Sequence, residues 1–312
     1  MSPIWSLPYP QFSGMEDKFR LRSDKDNVRI DVYLSERLDL PRSKVKRLIE
    51  EGHVRVEGRR PKSSFKVRKE MEIEGEITRE EPTLLTPEDI PIGILYEDDY
   101  LLVIDKPKDM VVHPSLGHRR GTLVNAILNY VREADQGDER PGIVHRLDKG
   151  TTGVIIVAKD RRTQEKLSRQ FHERSVEKTY RAIVEGVVRD DEGVVEGDIG
   201  RHPRDRQRMS LVAKGGRYSF SRFKVLKRLR GFTYVEVYPK TGRTHQIRVH
   251  LSHVGHPIVG DDLYGKGAKK LADRPLLHAY RIVFDHPVRP CKVSVEAPVA
   301  RDIEAFVEAH GA

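Results

Sequence analysis

The chain has 312 residues and a mass of 35.8 kDa, which is enough for about two domains. Hydrophobic residues make up 37% of it, enough for a buried core, and no apolar run approaches the ~18 residues of a membrane-spanning helix. A single cysteine, Cys291, excludes an internal disulfide and a cysteine-based zinc or iron–sulfur site. Because the first residues show no secretory signal pattern, we expect a cytoplasmic protein.

The net charge of +9 is concentrated in two segments of the chain. Residues 42–69 hold eleven Lys and Arg against three Glu, a balance of +8. Residues 201–230 hold eleven against a single acid, Asp205, a balance of +10. Two basic segments on an otherwise acidic chain indicate a polyanion bound at two places, which is typical of nucleic-acid binding. The alternative is that both segments are ordinary solvated surface.

The N-terminal part of the chain is predicted to be a tail followed by helices. Residues 1–27 show no apolar periodicity and are expected to form a flexible tail. Helical spacing begins at Val28. A second helix is predicted to begin near Ser43, as its N-cap, and to end at Gly52.

Short alternating segments follow these helices. They lie at 54–56 and 71–74, and they complete a small α/β domain over residues 28–78. Residues 79–91 are rich in acids and prolines and are predicted to be a linker. The remaining residues, 92–312, form the second and larger domain.

The second domain is richer in strands than in helices. Strand patterns occur at 100–104, 154–158, 179–187, 218–226 and 232–238. One helix is predicted after residue 158, through Leu167 and Phe171, and another from Thr244 to about Val254. Because strands follow strands as often as helices, we predict an α+β fold with a mixed, largely antiparallel sheet.

The segment 141–157 carries the densest chemistry in the chain. His145, Arg146 and Asp148 fall within four positions, followed by a Gly/Thr turn and a buried strand. A turn that leads into a core strand holds Asp148 in place, and the nearby Arg146 can keep the carboxylate ionised. Such a carboxylate can act as a nucleophile or a base. The alternative is that Asp148 only caps the turn.

Four segments in this order resemble the motifs of the pseudouridine synthases that modify ribosomal large-subunit RNA and some tRNAs. They are Asp105-Lys106-Pro107 with Val112-His113-Pro114, the run from His145 to Gly153, Lys178-Thr179-Tyr180-Arg181-Ala182, and the run from Gly242 to Arg248. Residues 28–77 resemble the alpha-L RNA-binding domain, named after a small-subunit ribosomal protein. The resemblance implies a pseudouridine synthase catalytic domain preceded by this small domain. Gly150 and Thr152 stand where Asp and Ser are commoner, and Glu57 replaces a frequent Asn.

The resemblance also implies roles for individual residues. Asp148 would be the catalytic nucleophile, attacking either the sugar C1′ or the uracil ring. Arg243 would form a salt bridge with it, and Tyr180 would stack on the flipped uracil and handle the proton released from carbon five. Arg146 would enter the space that the flipped nucleotide leaves. The residues expected to contact RNA are His145, Arg146, Arg42, Ser43, Lys44, Lys46, Arg47, Arg206 and Arg208.

The implied function is the isomerisation of specific uridines to pseudouridine in RNA. The expected substrate is large-subunit (23S) ribosomal RNA. No metal or organic cofactor is expected, and the protein is expected to be a monomer. One alternative is a non-catalytic RNA-binding or ribosome-assembly factor on the same scaffold, and another is a tRNA synthetase fragment. Four histidines leave a zinc site open, although no cysteine and no H-E-x-x-H motif accompanies them. They are His245, His250, His253 and His256.

Overall fold

A computed structural model describes residues 17–77, 85–114, 120–131, 140–205, 207–265 and 271–311. The chain divides into two compact units, one ending at Thr83 and the other beginning at Leu84. Within the described ranges, no helix is long and apolar enough to cross a bilayer.

The first unit packs two helices against small antiparallel sheets. Its elements are β1 (Asp17–Arg22), β2 (Val28–Arg29), α1 (Ile30–Leu38), α2 (Arg42–Glu51), β3 (Val54–Val56), β4 (Lys66–Val67) and β5 (Glu72–Ile77). Strands β1, β5 and β3 form one sheet in that order, and β2 pairs with β4. Val45, Leu48 and Ile49 form the buried stripe of α2, as their helical spacing predicts.

The predicted flexible tail over 1–27 is wrong for residues 17–22, which form β1 along β5. Phe19 is 3% exposed and is part of the hydrophobic core of the unit. Gly75 makes room for it, because a Cβ at that position would lie 2.6 Å from Phe19 Cζ. The strand has only two apolar residues between charged ones, so its periodicity is too weak to recognise in the sequence. Residues 1–16 lie outside the described ranges.

The predicted N-cap of α2 is also wrong. The helix begins at Arg42, and Pro41 occupies the N-cap position without a side-chain cap, so Ser43 lies inside the first turn. Proline takes this place because its fixed φ suits a helix entry. The predicted helix end is confirmed, because Gly52 has a φ of 87°, a left-handed conformation that glycine adopts without strain.

The second unit contains most of the secondary structure. In chain order its elements are β6 (Gly93–Glu97), β7 (Leu101–Lys106), α3 (Leu123–Ile127), β8 (Thr152–Ala158), α4 (Arg161–Glu173), β9 (Glu177–Glu185), β10 (Glu192–Arg201), β11 (Met209–Leu211), β12 (Arg217–Arg228), β13 (Phe232–Pro239), α5 (Gln246–His253), β14 (Leu277–Asp285), β15 (Lys292–Glu296) and α6 (Arg301–His310).

Ten strands of the described chain form one large sheet, in the order β11-β10-β12-β13-β9-β14-β8-β7-β6, with β15 also paired to β14. Strands β14 and β8 run parallel, and the other pairs are antiparallel. The predicted mixed, largely antiparallel α+β fold is therefore confirmed.

The middle of this sheet is the most deeply buried part of the unit. All seven residues of β8 are buried, and Leu101 to Ile104 of β7 are 0% exposed. Burying one such aliphatic side chain stabilises the fold by about 1.5–3 kcal/mol. The turn that enters β8 is consequently attached to a fully buried strand.

Candidate active site

A pocket opens beside the middle strands of the large sheet. Most of its lining comes from the turn before β8, the strand β9 and the segment 239–248 that leads into α5, and Leu277 of β14 also contributes. Its lining includes Arg146, Asp148, Tyr180, Arg243 and Arg248. Three of the four motif segments, which lie up to about 100 residues apart in the sequence, therefore meet at this pocket.

Asp148 lies in the turn before β8 with 26% of its side chain exposed. Its Oδ2 atom accepts a hydrogen bond of 3.3 Å from the Arg248 guanidinium. The turn itself is closed by the backbone, since Thr151 N–H donates to the Asp148 carbonyl at 3.0 Å. The carboxylate thus points to an arginine and to the pocket, and the alternative of a side chain that only caps the turn finds no support.

Two buried basic side chains hold the backbone just after Asp148. The Lys106 ammonium is 0% exposed and donates to the carbonyls of Pro107, Met110 and Lys149, the last at 3.2 Å. The guanidinium of Arg274, a residue that is 2% exposed, donates to the Gly150 carbonyl at 2.9 Å. Burial, helped by the charge of Arg274, lowers the pKa of Lys106 to about 7.

The arginine that contacts the candidate nucleophile is Arg248, so the predicted Arg243–Asp148 salt bridge is wrong. Arg243 lines the pocket, but its Nε donates to the Tyr218 carbonyl at 2.9 Å. Arg243 precedes α5, whereas Arg248 is the third residue of this helix and lies on its buried side. The arginine motif contains both residues, and the structure brings Arg248 to Asp148.

Arg248 is itself held by a second carboxylate. Its Nε and one terminal nitrogen each donate to Asp261 at 2.7 Å, and Asp261 is 0% exposed. Although burial opposes the charge, Asp261 and then Asp148 raise the pKa of Arg248 above its usual value. A fixed, permanently charged fork is thereby aimed at the Asp148 carboxylate.

The loop 241–245 is pinned by the side chain of Gln246. Its Oε1 accepts hydrogen bonds from the Thr241 hydroxyl at 2.7 Å and from Arg243 N–H at 3.0 Å. Its Nε2 donates to the carbonyl of Phe220 at 3.0 Å. The pocket wall on this side is therefore tied to strand β12.

Tyr180 reaches the pocket from β9, where it pairs with Val237 of β13 and Ala279 of β14. It is partly buried and packs against two hydrophobic clusters. Burial, together with the Asp148 carboxylate, raises the pKa of Tyr180 above its usual value, so the phenol is protonated at neutral pH.

A glycine makes the entry to β8 possible. Gly153 has a φ of 104°, and a Cβ there would lie 2.1 Å from the Ala279 carbonyl oxygen of the parallel strand β14. Gly150, where the family more often has Asp, is also crowded, because a Cβ there would lie 3.0 Å from Pro275 Cδ. The turn is therefore packed closely from the β14 side.

The two polar residues before Asp148 have different surroundings. Arg146 is exposed on the rim of the pocket. His145 accepts the Ile156 N–H at 2.9 Å and stacks on Phe171 with ring centroids 4.5 Å apart. Burial lowers the pKa of His145 to about 3. Its ring thus supports the turn, and the predicted RNA contact of His145 stays a prediction.

The basic residues predicted to bind RNA lie in both units. On α2, Arg42, Ser43 and Lys46 are exposed, and Lys44 and Arg47 are partly exposed. Arg42 also donates to Asp31 at 2.9 Å. Arg208 lies in the second unit with its guanidinium carbon 5.3 Å from the ring centre of Tyr264, which borders the pocket residue His245. Arg206 lies outside the described residues.

Three of the four histidines that left a zinc site open have separate partners. His245 contacts the Tyr264 hydroxyl, His250 contacts Ser219, and His256 contacts the Glu185 carbonyl. In the part of the chain that the structure describes, no three His, Cys, Asp or Glu side chains cluster so that they could hold a metal ion.

Comparison with known proteins identifies the family of the chain. Residues 100–253 match the RNA pseudouridylate synthase family and residues 28–73 match the S4 domain, which confirms the predicted RNA-binding domain. An uncharacterized RNA pseudouridine synthase of Chlorobaculum parvum is 42% identical over 305 residues, covering 90% of this chain and 93% of the relative. A ribosomal large subunit pseudouridine synthase D of Neisseria meningitidis is 40% identical over 293 residues, covering 88% and 76%.

Solved structures support the same fold. Human RNA pseudouridylate synthase domain containing 4 aligns with a TM-score of 0.54 at 27% identity, covering 69% of this chain and 92% of that one. Human RNA pseudouridylate synthase domain containing 1 aligns with a TM-score of 0.55 at 24% identity, covering 71% and 95%. By its sequence relatives and its fold, this chain belongs to the RNA pseudouridine synthase family of isomerases, and it carries an S4 RNA-binding domain.

Proposed function

We propose that the pocket around Asp148 converts uridines of large-subunit ribosomal RNA to pseudouridine. The observation that carries the proposal is the juxtaposition of a carboxylate, a fixed arginine and an aromatic ring, supplied by Asp148, Arg248 and Tyr180. Relatives named ribosomal large subunit pseudouridine synthase D, from Neisseria meningitidis and Pseudomonas aeruginosa, support ribosomal RNA as the substrate.

The reaction breaks the N1–C1′ bond, turns the base and joins C5 to C1′. The C5 proton is lost and N1 gains a proton, so the product is an isomer and no oxidant or reductant is needed. Asp148 acts as the nucleophile at C1′ or at the uracil ring, and these two routes stay open. Arg248 orients the carboxylate and stabilises its negative charge.

A flipped nucleotide is needed because the target atoms are inaccessible in a stacked RNA. Tyr180 supplies an aromatic face on which the extruded uracil stacks. Its phenol, protonated at neutral pH, can also take part in the transfer of the C5 proton. Arg146 is exposed at the rim and enters the space left by the uridine. Arg243, whose guanidinium does not contact Asp148, acts at the same rim on the RNA.

The remaining basic residues supply affinity through phosphate contacts. The exposed face of α2, with Arg42 and Lys46, binds RNA backbone without reading bases. Arg208 does the same near the pocket, as part of the second basic segment. We further propose that the protein acts as a monomer in the cytoplasm on ribosomal RNA.

The Asp148→Asn variant tests the proposal, because it keeps the shape of the side chain and removes its charge. Pseudouridine formation on unmodified large-subunit ribosomal RNA should fall below detection, while RNA affinity stays within about threefold. Release of tritium from RNA labelled at C5 of uridine measures turnover. Turnover within tenfold of the unsubstituted enzyme would overturn the role of Asp148. If the unsubstituted enzyme binds this RNA without turnover, the non-catalytic alternative is favoured.

A further inference from the structure

His245 is a pocket residue for which the proposed mechanism has no role. It lies immediately before α5 with a backbone φ of 56°, and 19% of its side chain is exposed. Its Nε2 atom is 4.0 Å from Asp148 Oδ2, and its Nδ1 atom is 3.0 Å from the Tyr264 hydroxyl. One ring nitrogen therefore faces the candidate nucleophile and the other faces the protein interior.

The hydrogen bonds of Tyr264 decide which nitrogen of His245 carries the proton. The Tyr264 hydroxyl oxygen accepts the N–H of Met209 at 2.8 Å, and Tyr264 is 4% exposed. The single hydroxyl proton then needs an acceptor, and His245 Nδ1 is the one within reach among the described residues. If Nδ1 carried a proton instead, a buried hydroxyl donor would have no acceptor. The ring proton therefore lies on Nε2.

The ring is also neutral. Burial lowers the pKa of His245, and the nearby Asp148 opposes this only in part. A neutral imidazole with its proton on Nε2 is a hydrogen-bond donor on the pocket side and cannot accept there. The Nε2–H group is thus a donor of fixed direction, held through Tyr264 and by the start of α5.

We propose that His245 donates this Nε2–H hydrogen bond to a carbonyl oxygen of the flipped uracil. The inference rests on the proposed function, since it assumes that the target base enters the Asp148 pocket. Uracil has carbonyl oxygens at C2 and C4, and the base that detaches from the sugar spreads its negative charge over N1 and these oxygens. A hydrogen-bond donor that already points at this negative charge stabilises it without any rearrangement of the protein during the reaction. His245 is therefore a further catalytic residue of the reaction.

A purely structural role for His245 makes a different prediction. The left-handed backbone at this position favours Asn over Gln, because Asn adopts positive φ more readily. The side-chain oxygen of Asn can replace the acceptor Nδ1, whereas the side-chain NH₂ of Gln reaches the place of the donor Nε2. If the backbone conformation is all that matters, His245→Asn should be the better variant. If the Nε2–H donor matters, His245→Gln should be better.

The experiment compares these two variants in the full-length protein. The substrate is unmodified large-subunit ribosomal RNA with tritium at C5 of uridine, and kcat, RNA affinity and the thermal midpoint are measured. We expect His245→Asn to lose about 10²-fold or more in kcat, the usual effect of removing one such donor, and His245→Gln to lose about tenfold or less. RNA affinity should stay within about threefold for both variants.

Two results would overturn the inference. One is a kcat for His245→Asn that equals or exceeds that of His245→Gln. The other is a ring ¹⁵N spectrum that shows His245, identified by its loss in the Gln variant, with its proton on Nδ1. The Asp148→Asn variant distinguishes a failure of the proposed function from a failure of the role given to His245. If it is fully active, the proposed site fails, and if it is inactive while the order of the His245 variants is reversed, only the role of His245 fails.

Discussion

Replacing Arg248 by lysine tests the ion pair at the centre of the site. Lysine keeps the positive charge, but it cannot donate to Asp261 and Asp148 at once as the guanidinium fork does. We expect the ammonium to stay with the fully buried Asp261, so that the 3.3 Å contact with Asp148 is lost. A hydrogen bond to a charged group contributes about 1.5–3 kcal/mol, which corresponds to roughly a 10- to 150-fold loss in kcat.

The fold should survive this substitution. Asp261 Oδ1 also accepts the N–H groups of Leu263 at 3.0 Å and Tyr264 at 3.1 Å, so the carboxylate keeps partners besides Arg248. The loss of stability should therefore stay below the ~3–5 kcal/mol typical of removing one partner of a buried ion pair. A thermal denaturation curve measures this effect separately from catalysis.

Arg243→Lys is the matched control, since it makes the same chemical change at a residue in the same motif. The Arg243 guanidinium contacts the Tyr218 carbonyl and not Asp148, so this variant should change RNA affinity more than kcat. Single-turnover tritium release with enzyme in excess over RNA gives the chemical rate for both variants. If Arg243→Lys loses tenfold or more while Arg248→Lys stays within threefold, the assignment of Arg248 is refuted.

Three further outcomes are expected. Tyr180→Phe keeps the stacking face and removes the hydroxyl, so RNA affinity should stay within about twofold while tritium release falls at least about tenfold; equal release would make the hydroxyl dispensable. Burial opposes the charge of Asp98, but hydrogen bonds from Tyr100 N–H, His286 and Tyr96 lower the pKa of this carboxyl to about 2. Replacing Asp98 by Asn should therefore lower the free energy of unfolding at pH 7 by about 2 kcal/mol. The difference in unfolding free energy between this variant and the unsubstituted protein should shrink as the pH falls from about 4 towards 2. Urea titrations measure this difference, with the exposed Asp99→Asn variant as the control. Deleting residues 1–83 should weaken RNA binding and reduce the slope of log affinity against log salt by about one unit per lost phosphate contact; an unchanged slope would show that this unit does not touch RNA.

The sequence predicts those site residues that lie in short, contiguous motifs. Asp148 and Tyr180 lie in short motifs, and both line the pocket. The choice between Arg243 and Arg248 cannot be made from the motif, because both residues lie in it and only the folded structure shows that Arg248 contacts Asp148. Sequence-based helix boundaries carry errors of about two residues or more. The predicted start at Thr244 differs by two residues from the observed start at Gln246.

The features that the sequence does not reveal depend on contacts between residues that lie far apart in the chain. Arg274 lies 126 positions after Asp148, in a segment without a recognisable motif, yet its guanidinium donates to Gly150 and is held at 2.6 Å and 2.7 Å by Asp302 of α6. No periodicity links these positions, because the contact arises only when β14 pairs in parallel with β8. The same holds for Phe19, whose burial depends on a glycine in a strand more than 50 residues later.

The charges around Asp148 also have a consequence for a protein that binds RNA. In the proposed reaction, phosphates that approach the pocket would place negative charge beside Asp148, which has to stay negative to act as a nucleophile. Surface lysines compensate poorly for this repulsion, because solvent and salt screen exposed charges. Arg248 and Arg274 are both less than a tenth exposed. Asp261 holds the guanidinium of Arg248, and Asp302 holds that of Arg274. Their charges are therefore screened less by water and salt, and Arg248 keeps a positive charge 3.3 Å from the Asp148 carboxylate.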